Sequence, residues 1–191
     1  MKTLSRFNLH VALIHYPVIN KKGERVASAV TNLDLHDIAR AARTYGVRSF
    51  HVITPLDDQR ELAEKIVRHW TDGIGGVHNP KRREALELVR VTSSLDETKA
   101  VIAGENGSPP VIVATCARRF PDATGFAELA DRLQTDTPHL VLFGTAWGLA
   151  QELITASDVI LEPIGDHQGY NHLSVRCAAA IVLDRLMTPR P

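Results

Sequence analysis

No stretch of the chain approaches the roughly 18 consecutive apolar residues that a membrane helix needs, so no membrane partner is expected. There are only two cysteines, Cys116 and Cys177. That is too few for a disulfide framework and points to a reducing, cytoplasmic setting, with both thiols expected to be buried and no metal site formed. Residues 1–6 lead into a strand pattern rather than a secretory core and cleavage site. Formal net charge is zero, which excludes a protein that coats nucleic acid by charge alone. The glycine-rich stretch 71–80 does not spell Gly-x-Gly-x-x-Gly and does not follow a strand, so a dinucleotide fingerprint is excluded. No Gly-x-x-x-x-Gly-Lys-Ser/Thr, internal repeat or low-complexity segment occurs either.

What is present is a long alternation of strand and helix patterns. Apolar runs of strand length lie at Leu9–Tyr16, Ser49–Thr54, Val89–Thr92, Val111–Thr115, His139–Phe143 and Val159–Leu161. Helical spacing appears between them, with caps expected at Asp34, Thr124 and Asn171. Ser94-Leu95-Asp96-Glu97 is a capping box. Residues 71–80 read as a mobile lid or plain linker. Six strands interleaved with helices predict one α/β domain over residues 1–191, a mainly parallel sheet with helices on both faces. Ligands of such sheets sit at strand carboxyl ends, which directs attention to the loops after Thr54, Thr115, Phe143 and Leu161.

Charge is unevenly spread. Residues 1–95 hold 15 Lys+Arg against 10 Asp+Glu, and residues 96–191 hold 7 against 12. The basic half either faces a polyanion or carries scattered solvated charges. Candidate cationic runs are Arg40-Arg43-Arg48, Lys81-Arg82-Arg83 and Arg118-Arg119.

Three segments carry the chemistry. The first is Asp34 to Val47, with Arg40 six residues after Asp34 and Gly46 closing the helix. The second is Leu140-Val141-Leu142-Phe143-Gly144-Thr145-Ala146-Trp147-Gly148, a strand running into Gly-x-x-x-Gly. Its glycines let backbone N–H and C=O groups approach a ligand closely. Trp147 either stacks on a base or packs in the core, and a core position is expected. The third joins Pro163-Ile164-Gly165 to Tyr170-Asn171-His172-Leu173-Ser174-Val175 and a helix of small residues at Ala178-Ala179-Ala180. A polar loop feeding such a helix suits a flat, polar ligand.

In this order and spacing, the three segments resemble the motifs of the SPOUT RNA methyltransferases, and the Asn-His-Leu-Ser-Val-Arg form is closest to a bacterial subgroup described as predicted RNA methyltransferases. The resemblance implies a deep C-terminal trefoil knot that holds S-adenosyl-L-methionine, a homodimer whose substrate site combines both subunits, and an RNA substrate, tRNA or rRNA. It places the cofactor against Thr115, Phe143, Gly144, Trp147, Gly148, Ile164, Gly165, Asn171, Leu173 and Ala178. Arg40 falls where the family has an arginine beside the target nucleotide, Asp34 where it has an asparagine, and His172 where ribose methyltransferases have an asparagine. The usual glutamate of the second motif is replaced, with Ala146 or Trp147 in its position.

Catalysis is expected of Arg40, His172 and Ser174, and RNA contacts of Arg43, Arg118 and Arg119. Guanidinium stays protonated, so Arg40 suits a phosphate clamp or alkoxide stabiliser better than a base. As an imidazole, His172 is the sounder proton acceptor, unless it only packs at the helix start. Asp166 is a further acid/base candidate. A non-catalytic cofactor-binding or regulatory protein, or an enzyme acting on a small nucleotide, stays open at this level.

Overall fold

The computed structural model describes residues 7–165 and 169–188; the acid/base candidate Asp166 lies outside them. In chain order the elements are β1 (Leu9–Ile14), β2 (Val18–Ile19), β3 (Arg25–Val26), α1 (Asn32–Thr44), β4 (Ser49–Ile53), α2 (Asp57–Thr71), α3 (Ile74–His78), α4 (Pro80–Leu86) and β5 (Val89–Thr92). They continue as α5 (Leu95–Asn106), β6 (Val111–Ala114), α6 (Phe126–Arg132), β7 (His139–Gly144), α7 (Gln151–Thr155), β8 (Val159–Ile160) and α8 (Val175–Met187). Six strands form one sheet in the order β5-β4-β1-β7-β6-β8, and every pairing is parallel.

Alternation along β1 sorts the core. Leu9, Val11 and Leu13 face one side with apolar residues of α1, α2, α4, α6 and α8. Ala12 and Ile14 face the other side with Ile102 of α5 and Ile154 of α7. Both faces are therefore covered, as the near-continuous apolar strands require. The chain order reverses between the neighbours β1 and β7, which is where an open parallel sheet offers a crevice. No helix among the described residues is long and apolar enough to cross a membrane.

Half of the capping box holds: Ser94 Oγ accepts from the Glu97 N–H at 3.1 Å, while the Glu97 carboxylate accepts from the Ser93 N–H at 2.7 Å. The other caps differ from expectation. Thr31 caps α1, and the buried Asp34 instead accepts from the Thr31 hydroxyl at 2.6 Å. Ser174, not Asn171, caps α8. Gly125 precedes α6, whose Phe126 N–H is satisfied from across the chain by Glu162 Oε1 at 2.9 Å. The stretch 71–80 is not plain loop, because it contains α3. Close contact explains that helix: a Cβ on Gly76 would lie 2.3 Å from the Trp70 carbonyl oxygen, so only glycine lets α3 pack on the end of α2. Residues 20–24 are the loop of a hairpin whose short strands β2 and β3 pair antiparallel. Cys177 is exposed and Cys116 half-buried, against the expectation of two buried thiols.

Candidate functional site

A cavity of about 820 Å³ opens at the carboxyl ends of β6, β7 and β8. Its walls are the loop after β6, the turn after β7, the segment after β8 and the entry to α8. The loop after Thr54, also expected, contributes nothing to it.

The turn after β7 is built by backbone constraint. A Cβ on Gly144 would sit 2.4 Å from the Leu149 nitrogen, and Ala146 and Gly148 adopt φ of +52° and +106°. The turn is anchored by Thr145, whose N–H and hydroxyl both donate to the Ile14 carbonyl, at 3.2 and 2.9 Å. It also pairs with the hairpin, since Ile19 N–H donates to Gly148 O and Trp147 N–H to Ile19 O, both at 3.0 Å. That antiparallel docking carries the hairpin tip, Asn20 and Lys21, to the rim of the cavity.

Most of the residues expected at a cofactor line this one cavity. Thr115 comes from the β6 loop, and Phe143, Gly144, Trp147 and Gly148 from the β7 turn. Ile164 follows β8, and Asn171, Leu173 and Ala178 stand at the start of α8. Gly165 is outside the lining. His172 and Ser174 line it too, as does Arg118. Arg40 does not: it is exposed on α1 and outside the lining. Arg43 pairs with Glu84 at 3.7 Å, and Arg119, like Arg43, lies outside the lining. Trp147 is 59% exposed, not a core residue, because the positive-φ bend at Ala146 turns it out at the cavity mouth.

Four features escaped the sequence. Asp34 and Arg176, both lining the cavity, form an ion pair of 2.6 Å, and Arg176 Nε lies 3.5 Å from Asp37. The pair joins α1 to α8, and the Asp34 carboxylate holds the Arg176 guanidinium above its ordinary pKa. Asn171 Nδ2 donates to the Ala117 carbonyl at 3.1 Å, tying the final segment to the β6 loop. A hydroxyl chain runs from Thr145 to Ser28 Oγ at 2.5 Å and on to His15 Nδ1 at 2.9 Å. His15 is fully buried, and burial pushes its pKa down to about 4 despite the nearby Asp34. Only the hairpin itself, with its Lys-Lys-Gly turn, left any local trace.

A sequence profile of a family described as "SAM-dependent RNA methyltransferase" matches residues 8–188. The chain belongs to that family. Within it, the chain is 48% identical over 180 residues to a protein of Oleidesulfovibrio alaskensis named tRNA (guanine-N(1)-)-methyltransferase. The match covers 94% of this chain and 42% of that protein, so the chain spans about two-fifths of its relative's length. Among solved structures, a methylase family protein from Neisseria gonorrhoeae superposes with a TM-score of 0.64 at 16% identity, over 98% of this chain and 84% of that one. The TrmH/SpoU tRNA modifying enzyme of Aquifex aeolicus gives 0.55 at 13%, over 94% and 74%. These likenesses are of fold, and they agree with the mainly parallel α/β sheet expected from the strand and helix pattern.

Proposed function

We propose that the chain transfers a methyl group from S-adenosylmethionine to a nucleotide of tRNA or rRNA, acting as a cytoplasmic homodimer with a knotted C-terminal segment. One observation carries this reading: residues separated in sequence, at Thr115, at Phe143–Gly148, at Ile164 and at Asn171–Ser174, meet around a single recess. The donor set suits an adenosyl group. Of its 27 lining residues, three are glycine and seven are alanine, cysteine, serine or threonine, and its volume lies in the range of small-molecule sites. When bound, S-adenosylmethionine supplies an electrophilic methyl group. The chain's part is to align an acceptor with it and take up a proton.

Trp147, Leu173 and Ala178 would flank the adenosyl group, with Asn171 fixed by Ala117 behind them. His172, exposed at the mouth, accepts the proton of an attacking hydroxyl or ring nitrogen. Ser174 caps α8 through its oxygen, which leaves its hydrogen to donate into the recess. Arg40 then acts across a subunit boundary, clamping a phosphate or a developing alkoxide. The return of the final segment from the edge strand β8 to α8, packed between α1 and α6, supports the knot. Free thiols at Cys116 and Cys177 fit a reducing compartment. The guanine-N1 acceptor in the relative's name is not transferred, since more than half of that protein lies outside the match.

Calorimetry with S-adenosylhomocysteine and methyl incorporation into total tRNA and rRNA test the reading. Tight binding with no incorporation into any RNA would reduce the chain to a cofactor-binding protein. Absence of binding would remove the reading altogether.

A further inference from the structure

The chain holds ten aromatic residues among 191, and four of its five phenylalanines, Phe7, Phe50, Phe126 and Phe143, are buried. Against that economy, Trp147 and Tyr170 are 59% and 77% exposed. Both lie against the same residue. The Trp147 and His172 ring centroids are 5.8 Å apart at 73°, and those of Tyr170 and His172 are 5.3 Å apart at 68°. Trp147 and His172 line the cavity and Tyr170 does not, so the three rings form one aromatic surface running from the recess out to solvent. Large rings left in water are a standing cost unless something covers them.

Cations border that surface. The hairpin that docks on the Trp147 backbone has a tip stiffened by Asn20, whose Oδ1 accepts from the Lys22 and Glu24 N–H groups at 2.8 and 3.1 Å. Lys21 lines the cavity, and neither Lys21 nor Lys22 makes an ion pair among the described residues. The carboxylates lining the recess are already engaged: Asp34 with Arg176, and Glu162 with the Phe126 N–H. A stiff basic tip beside exposed rings is the chemistry that holds a sugar-phosphate chain while its bases stack.

We propose that Tyr170, backed edge-on by His172 and beyond it by Trp147, is a stacking platform for an unpaired base of the RNA, with Lys21 and Lys22 neutralising the adjoining phosphates. This rests on the methyltransferase reading and narrows its substrate to RNA presenting unstacked nucleotides, a loop or a flipped base, because bases inside a duplex have no free face to offer. A second copy of this chain is the competing cover for the same rings.

The test uses the full chain, a single-stranded RNA of ~12 nucleotides and a blunt duplex of equal length, titrated by fluorescence anisotropy at several salt concentrations. The single strand should bind more tightly than the duplex. Tyr170→Ala should weaken its binding by roughly 5- to 100-fold, the range measured for one stacked base, while Tyr170→Phe retains it. Replacing Lys21 and Lys22 by alanine should lower the salt slope by about 0.7 for each lysine. Unchanged binding by Tyr170→Ala, or preference for the duplex, would overturn the platform. So would sedimentation showing that Tyr170→Ala separates a dimer whose RNA affinity stays intact. Calorimetry with S-adenosylhomocysteine keeps the two readings apart: Tyr170→Ala should bind it like the unaltered chain. If neither chain binds it, the methyltransferase reading fails while the RNA titration still decides the platform.

Discussion

Three buried histidines oppose protonation in the folded chain. His10, His15 and His51 are each held near pKa 4 against an ordinary 6.5, in every case chiefly by burial. The first and last share a proton network. Asn8 Nδ2 donates to Asn106 Oδ1 and to the Asp136 carbonyl, at 3.0 and 2.8 Å, so its own Oδ1 accepts from His10 Nε2 at 3.2 Å. The Ser49 hydroxyl must then donate to His10 Nδ1 at 2.6 Å and accept from His51 Nε2 at 2.8 Å. His51 Nδ1 is left as a buried lone pair. Unfolded, these side chains take up protons as pH falls through 6.5; folded, they do so only near 4. Stability should therefore be level above about pH 7 and decline between pH 6.5 and 4, by roughly 2–3 kcal/mol per histidine. Chemical denaturation across that range checks it; a flat profile would contradict neutral burial. Also at this scale, His172→Asn should lower the methylation rate by about 10²–10⁴-fold while cofactor affinity is kept. An unaltered rate would remove His172 as the proton acceptor.

Helix ends and hairpins carry the next level of organisation. The Asp34–Arg176 pair spans 142 residues and, with the Arg176–Asp37 contact and the Tyr45 hydroxyl donating to Asp184 Oδ1 at 3.0 Å, ties α1 to α8. Arg176→Met would leave a nearly buried carboxylate with the Thr31 hydroxyl as its main partner, a loss of about 1–3 kcal/mol. Asp34→Asn in the same background should recover part of it, a double-mutant cycle read by thermal melts. The contact of α3 with α2 is stricter. Gly76→Ala forces a Cβ against a backbone oxygen that cannot rotate away, and should cost about 2–4 kcal/mol. A melting temperature equal to that of the unaltered chain would show that α3 shifts freely. The hairpin β2–β3 was missed because two-residue strands leave no periodicity, and the pairing that supports them comes from the turn after β7, well over a hundred residues along the chain.

Across the whole molecule, the recess lies within one chain but Arg40 does not reach it. If Arg40 serves the site of a second copy, Arg40→Ala should abolish methylation and leave S-adenosylhomocysteine binding intact. Mixed dimers of Arg40→Ala with His172→Asn should then regain activity, because one of the two shared sites would be whole. With both residues acting in the same subunit, no mixture would recover any.

The order of strands and helices and the parallel sheet were readable in the chain itself; of the three segments singled out, the second and third line one recess, while the first contributes Asp34 but neither Arg40 nor Gly46. Each of those rests on local pattern: apolar runs of strand length, helical spacing, and glycine where backbone must bend. Caps, hairpin, Trp147 and the ion pair of Arg176 were decided only by tertiary structure. Whether Asp34 caps a helix or is buried against a distant arginine depends on which groups arrive beside it, and so does the exposure of a tryptophan on a bend. That neighbourhood forms when β7, β8 and α8 close around β1, and no window of the sequence contains it.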